Sequence, residues 1–357
     1  MKKLNLAIIG QGRSGKDIHG KYYISSANIY YNVTYVIDQD EYRREVSKQR
    51  YPGCVTLSDY RELFDKKDVD VVINASYSNM HYDITKDLLM HGFNVVVEKP
   101  FSKTEKQCQE LMDIAKKNNV KVCVFQQTFY APYYDDILRI VNKDVIGRVL
   151  EVSIRYNSLS RRWDWQTLQK RVGGNAYNTG PHPFGCALGI LGFDDKAYLA
   201  FGRMNHTLMS AGDYDDYVKA IITAPNKPVV DIEINNTDAY SGYTVKIQGT
   251  RGTYKTNTVT WNLKYIVDGE NPKREPIETF LANAEGNPCY CSEKLITHEE
   301  EGKYNGTAFD VGTSRYYEEL YYYLTEDRPM YADAIKAMKT IGLIEKIHKM
   351  NPIDRKF

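Results

Sequence analysis

The sequence predicts an α/β protein of two domains, the first a doubly wound parallel sheet and the second built on a sheet with one covered face. Through residue 125, short runs rich in Val and Ile alternate with helical patterns. The runs are Leu4 to Ile9, Val33 to Ile37, Val69 to Ile73, Val95 to Val97 and Val120 to Phe125. They are apolar on both faces, as strands buried under helices on both sides must be. Strand–helix–strand alternation is also how parallel strands are connected. After about residue 126 the character changes. Val149 to Tyr156, Tyr217 to Thr223, Val229 to Asn235 and Tyr243 to Gln248 alternate apolar and polar residues, the pattern of a sheet that packs on one side only. The expected domains are therefore 1–125 and 126–357, and 357 residues suffice for two cores.

The remaining elements follow from local chemistry. Ser102-Lys103-Thr104-Glu105 reads as a capping box with Ser102 as N-cap of a helix over 103–118, whose Leu111, Met112, Ile114 and Ala115 share one face. Pro225-Asn226-Lys227-Pro228 and Gly249-Thr250-Arg251-Gly252 are turns between strands. A final amphipathic helix spans roughly 331–349. No internal repeat or low-complexity linker separates the halves, so a tight interface between them is expected.

The first run leads directly into Gly10-Gln11-Gly12-Arg13-Ser14-Gly15, a full G-x-G-x-x-G placed between a buried strand and a helix start. Gly10 permits the tight turn, Gly12 lets the backbone approach a pyrophosphate, and Gly15 allows close packing of helix on strand. The helix N-terminus then offers free N–H groups and partial positive charge to phosphates. The second run ends at Asp38, which would accept from adenosine ribose hydroxyls and repel a 2′-phosphate. NAD is thereby favoured over NADP, although Arg43 and Arg44 follow and could bind that phosphate.

Composition excludes several other classes. The 47 basic and 46 acidic residues nearly cancel, which speaks against a nucleic-acid or membrane-surface partner. The apolar start that ends at Gly10 is too brief for a signal core or a membrane span. The six cysteines show no framework spacing and fit reduced thiols in a cytoplasm. Cys289 and Cys291 lack the second pair that a zinc site needs, so no metal is expected. Thirty tyrosines could serve interfaces or sugar stacking.

Two further segments point to a family. Glu98-Lys99-Pro100 closes a strand, and Gly173-Gly174-Asn175-Ala176-Tyr177-Asn178-Thr179-Gly180-Pro181-His182 follows later. With the glycine motif, Asn79-Met80-His81 and Ile247-Gln248-Gly249-Thr250-Arg251-Gly252, they resemble the glucose-fructose oxidoreductase/inositol dehydrogenase (Gfo/Idh/MocA) family over essentially the whole chain. The resemblance implies an N-terminal Rossmann domain followed by an α/β domain with a large, mostly antiparallel sheet. Pairing through the open face of that sheet, as a homodimer or homotetramer, is implied as well. It extends the cofactor site to Ser76, Asn79, His81, Glu98 and Lys99. Lys99 matches the family's active-site lysine and His182 its catalytic histidine. Four residues before that histidine the family pattern has aspartate, where this chain has Asn178.

The chemistry implied is oxidation of a sugar or polyol hydroxyl. Histidine suits the base because its ordinary pKa of about 6.5 lies near working pH. Lys99 would stabilise charge on the reacting oxygen or, desolvated, act as the base itself. Asn178 cannot supply a carboxylate but can hydrogen-bond a hydroxyl. Arg162, Trp163 and Trp165, with Tyr177, offer indole and phenol faces beside polar groups for a polyhydroxylated substrate. The same composition also fits a packed loop or an oligomer contact. His19, His91, His206, His298 and His348 read as surface or packing residues. Two alternatives to the dehydrogenase stay open: an NAD-dependent glycosidase of the same family, and a non-catalytic NAD-binding regulator.

Overall fold

The computed structural model describes residues 2–356. Its first sheet has six parallel strands in the order β3-β2-β1-β4-β5-β6: β1 Leu4–Ile9, β2 Tyr31–Ile37, β3 Val55–Leu57, β4 Val71–Asn74, β5 Val95–Glu98 and β6 Val122–Phe125. Chain order reverses direction at β1, which lies between β2 and β4. Ligands bind at such a switch point, outside the carboxyl ends of the strands. The core strands bury both faces, with Leu6, Ile8, Val72, Ile73, Val96 and Val97 inaccessible to solvent. The helices between them are α1 (Gly20–Tyr23), α2 (Glu41–Arg50), α3 (His81–Met90) and α4 (Glu105–Lys117).

Two expectations need correction. The strand ending in Glu98 is the fifth, because the short edge strand β3 carries too little apolar pattern to be read. Helix α4 is capped by Thr104, whose side chain accepts from the Gln107 N–H, while the Ser102 hydroxyl donates to the Gln107 side chain. Both residues are good caps by type. The chain enters the helix two residues later than expected, and Ser102 is buried just before it.

The second sheet has eight strands, ordered β16-β13-β12-β11-β7-β10-β9-β8. They are β7 Val149–Asn157, β8 Tyr198–Asn205, β9 Tyr217–Thr223, β10 Val229–Asn235, β11 Val245–Gly249, β12 Gly252–Thr256, β13 Thr260–Tyr265 and β16 His298–Lys303; a small hairpin, β14 Leu281–Ala282 with β15 Pro288–Cys289, lies between the last two. All neighbours in the large sheet are antiparallel except β7 and β10. Alternation decides its faces: Val218, Ala220 and Ile222 of β9 are buried, whereas Lys219 and Ile221 between them are not. Helices α6 (Gly174–Asn178), α7 (Pro181–Ile190) and α9 (Ala334–Met350) cover the buried face, and α5 (Pro132–Asn142) packs on α7. The turn at Gly249–Gly252 is a two-residue hairpin in which those glycines pair.

The two halves interlock. Helix α9 returns to pack on α4, close enough that a Cβ on Gly342 would stand 2.8 Å from the Glu105 carboxylate. Helix α8 (Thr313–Glu326) drives Tyr316, Tyr317 and Tyr321 into the first domain, where Tyr317 stacks on Tyr22 at 4.7 Å and meets Tyr23, Tyr31 and Phe125. Much of the unusual tyrosine content thus forms an internal aromatic joint, since each ring buries a large apolar face. No helix among the described residues is long and apolar enough to cross a membrane.

Candidate active site

The carboxyl ends of β1, β2, β4 and β5 open onto a cleft of about 1090 Å³. Its floor is the glycine turn. Gly10 adopts φ +88°, and a Cβ there would stand 2.5 Å from the Ala75 carbonyl oxygen. A Cβ on Gly15 would fall 1.8 Å from the Gly10 carbonyl oxygen, so neither position admits a side chain. At Gly12 no protein atom lies within 4 Å of that point, which leaves space above the turn. The chain then winds as a wide π-type turn, Arg13–His19, before α1, with Arg13 and Ser14 lining the cleft. Asp38 closes β2 at one end. Its carboxylate accepts from the Gln11 N–H at 2.7 Å and the Asp40 N–H at 2.9 Å, which fixes its direction. Arg44 is occupied, donating to the carbonyls of Asp38 and Gln39, whereas Arg43 is half exposed on the cleft rim.

The side wall comes from the segment after β4. The Ser76 hydroxyl donates to the Asn74 side chain, and the Asn79 oxygen accepts from Arg171 at 3.4 Å. His81 is buried, with Nδ1 2.7 Å from the Pro100 carbonyl and Nε2 3.2 Å from the Ser76 carbonyl. Burial lowers its pKa, although both carbonyls favour the cation. His81 therefore ties the ends of β4 and β5 together.

At the far end stands a cluster of ionisable groups. Glu98 is buried. Burial alone would raise its pKa, but the hydrogen bond from His19 (Nε2 to Oε1, 3.1 Å) and the nearby Lys99 and His81 more than offset it, holding the carboxyl at about 2. The second Glu98 oxygen accepts from the Lys99 backbone N–H at 3.0 Å. Lys99 Nζ donates to the Asn178 carbonyl at 2.8 Å, and burial, with Arg13 and Arg162 nearby, lowers its pKa against the pull of Glu98. His182 Nδ1 lies 2.7 Å from the Thr128 hydroxyl, and Nε2 has no protein partner among the described residues. Burial and the neighbouring Lys99 charge lower His182 to about 3, so its resting form is neutral.

The structure brings most of the expected residues to this cleft and leaves a few out. Gly10, Gly12, Arg13, Ser14, Asp38, Ser76, Asn79, His81, Glu98, Lys99, Arg162, Trp165, Asn178 and His182 line it. Gln11 and Gly15 lie behind the turn. Asn178 has its side-chain oxygen engaged, accepting from Gln166 at 2.9 Å, which leaves the amide N–H groups as its donors toward the cleft. Trp165 meets Tyr77 edge to face across the cleft, and Arg162 pairs with Asp164 at 2.8 Å. Trp163 is 78% exposed and lines no part of the cleft. Tyr177 is buried elsewhere, stacked on His348 with its hydroxyl donating to the Lys103 carbonyl. Helix α6 turns its residue 177 toward α9 while presenting residue 178 to Lys99.

Of the surface or packing role expected for His19, packing holds, for its ring lies 4.3 Å from that of Phe125, and hydrogen bonds are added to it. It is inaccessible to solvent, held between Glu98 and the Tyr317 hydroxyl at 2.6 Å. Nothing in its neighbourhood in the sequence signals this, since its partners lie 79 and 298 positions away. Gln127 and Thr128 were also missed, yet they begin two residues after β6 ends, and the carboxyl end of a parallel strand is where ligands gather.

Known proteins share this architecture. The chain is 25% identical over 225 residues to an uncharacterized oxidoreductase of Streptococcus pneumoniae, covering 61% of this chain and 60% of that protein. It is 23% identical over 276 residues to a 2,7-anhydro-N-acetylneuraminate hydratase of Mediterraneibacter gnavus, covering 75% and 71%. Among solved structures, an NAD-binding protein from Listeria innocua superimposes with a TM-score of 0.77 at 21% identity, covering 98% and 94% of the two chains. GenD2 from gentamicin A biosynthesis, solved in complex with NAD, gives 0.76 at 17% identity, covering 98% and 94%. These likenesses establish the fold. The model of the oxidoreductase family's NAD-binding Rossmann fold matches residues 4–146, and that of its C-terminal alpha/beta domain matches residues 139–350; the chain belongs to the Gfo/Idh/MocA oxidoreductase family.

Proposed function

We propose that the chain is an NAD-dependent oxidoreductase that moves a hydride between nicotinamide and a hydroxyl-bearing carbon of a sugar or polyol. The observation that carries this reading is that Lys99 and His182 border the same cleft as the glycine turn and Asp38. The residues fit a dinucleotide: Gly12 leaves room above the turn, Arg13 and Ser14 line the cleft after it, and Asp38 stands at the end of β2 on the same cleft. With Arg44 committed to carbonyls, the acidic Asp38 favours NAD over NADP. When bound, the nicotinamide supplies the hydride acceptor or donor.

The protein's part is proton transfer and charge stabilisation. Lys99 Nζ has three N–H groups and uses one on Asn178, so it can donate another to the reacting oxygen and stabilise negative charge there. His182 exchanges the hydroxyl proton at Nε2. The Thr128 hydroxyl can accept from or donate to Nδ1, so it serves both ring tautomers, as transfer in either direction requires. Burial, with the adjacent Lys99 cation, keeps His182 unprotonated in the resting protein.

The reading is tested by NADH absorbance on mixing the protein with NAD⁺ and a panel of inositols, aldoses and sugar acids. Some member should form NADH, with the rate falling at least about hundredfold in His182→Ala and Lys99→Ala. Activity that survives both changes overturns the assignment. A second reading starts from Asn178, whose side-chain oxygen accepts from Gln166 where the family pattern has a carboxylate. In it, oxidation and re-reduction occur within one turnover, as elimination and addition would use them, and no NADH accumulates. Two relatives carrying a hydratase name make this class worth measuring in the same samples.

A further inference from the structure

Between β13 and β16, at one edge of the second sheet, the chain leaves the sheet for residues 266–297, and none of their side chains is buried. The excursion is a two-limbed arm. Arg274 on the outgoing limb pairs with Glu293 on the returning one at 2.6 Å, the Asn271 side chain accepts from the Ile296 N–H at 2.8 Å, and the β14–β15 hairpin closes the far end. Beside the Leu281–Cys289 pair of that hairpin stand Phe280 and Tyr290, both almost wholly exposed, with Ile277, Leu295 and Ile296 exposed nearer the sheet. An isolated two-stranded hairpin is marginal in water, and ordering so long a segment has an entropic cost that buried contacts must offset. The arm's own chain supplies none.

The opposite edge of the sheet offers a complement. On the open face, Tyr198 and Phe201 of β8 stand beside Thr223 and Ile221 of β9, and Val229 opens β10 on the same side. Tyr198, Phe201 and Val229 are exposed. The middle of that face is different, for Arg155, Lys219, Asp231 and Glu233 pair with one another there. Charge matches as well. The side chains of Lys196, Arg203 and Lys227, around the apolar patch, have no partner among the described residues, and neither do those of Glu275, Glu278 and Glu285 on the arm. The arm carries six acidic and three basic residues in a chain of net charge +1, so the remainder of the chain is positive. Such complementarity steers association and fixes register. Strand spacing sets patch and arm base roughly 30 Å apart on one protomer.

We propose that the arm of one copy docks on the β8–β10 patch of a second copy of this chain, with Phe280 and Tyr290 covering Tyr198, Phe201 and Val229. In a two-fold pair the contact is made twice, each copy giving an arm and a patch. Two rings in each contact remove roughly 600–1,000 Å² from water, a large share of the roughly 1,200–2,000 Å² that a stable interface buries. The apolar anchors thus come from the arm rather than from the ion-paired middle of the sheet, and the contact is independent of the redox reading above.

Sedimentation velocity over a concentration series tests it with three proteins: wild type, an arm variant (Phe280→Asp with Tyr290→Asp) and a patch variant (Tyr198→Asp with Phe201→Asp). Wild type should self-associate, and each variant should raise the dissociation constant at least about thirtyfold, the scale of one lost hot spot. All four side chains are exposed in the protomer, so circular dichroism should show both variants folded. The equimolar mixture discriminates further. The arm variant keeps its patch and the patch variant keeps its arm, so one intact contact re-forms and the mixture should associate more strongly than either variant alone. In Phe201→Cys, a short bismaleimide should join residue 201 of one copy to the exposed Cys289 or Cys291 of another. Monomeric wild-type protein overturns the proposal and leaves the arm to a different partner. Association that is unchanged in both variants overturns it in favour of an interface elsewhere, and a mixture no more associated than its components overturns the pairing of arm with patch.

Discussion

At the Gly10–Gly15 end, the cleft is bounded by backbone: a turn at φ +88°, glycines that admit no Cβ, and a carboxylate oriented by two main-chain N–H groups. At the Lys99 end it is bounded by ionisable side chains. Glu98, Lys99, His19, Thr128 and His182 come from four places in the chain and hold one another by charge and hydrogen bonds. The first end is set by sterics and should be insensitive to pH. The second is set by electrostatics, so substitution there should alter chemistry more than folding.

Gly15→Ala should produce the largest effect on folding. The 1.8 Å contact is with backbone, which cannot swing aside, so a loss of at least about 2 kcal/mol is expected in denaturant titration. Gly12→Ala, with open space and an ordinary φ of −73°, should leave stability within about 0.5 kcal/mol while weakening NAD binding at least tenfold. Equal stability of the two variants would break the steric account of that end.

Thr128→Val is the corresponding probe of the other end. It keeps the shape but strands His182 Nδ1, and should lower kcat/KM about tenfold to hundredfold with little change in the unfolding midpoint. Thr128→Ser, which restores the hydroxyl, should recover most of the loss; a variant pair that behaves alike would make Thr128 a packing residue only.

A smaller effect is expected in the pH dependence of stability. His182 is held at about 3 in the folded protein against an ordinary value of about 6.5. Between those values the unfolded chain binds more protons, so this residue's contribution is complete above about pH 6.5 and is lost as pH falls toward 3. The urea midpoint measured from neutral pH downward should therefore fall less steeply in His182→Gln than in wild type. An unchanged slope would mean that the imidazole is not desolvated in the folded state.

The same contrast explains what could be read in advance. The glycine turn, Asp38 and the first strands depend on neighbours in sequence, and Leu4–Ile9, Tyr217–Thr223 and Val229–Asn235 fall where their patterns end. Lys99 and His182 were legible only through resemblance, because a lone Lys-Pro or His carries no local signal. The partners that define their chemistry were not legible. His19 is joined to Tyr317 across 298 positions, and Thr128 to His182 across 54. Trp163 and Tyr177 went astray for the related reason that side-chain direction on a loop or a short helix is set by packing, here against solvent and α9.

The central claim is that Lys99 and His182 act as one unit, both addressing the same oxygen while burial and the Lys99 charge keep the imidazole neutral. A double-mutant cycle of Lys99→Met and His182→Gln on kcat/KM for NADH formation tests it most directly. The account predicts that the double variant is about as impaired as the worse single one. Losses that simply multiply would contradict it, leaving two residues that share a cleft without sharing a reaction.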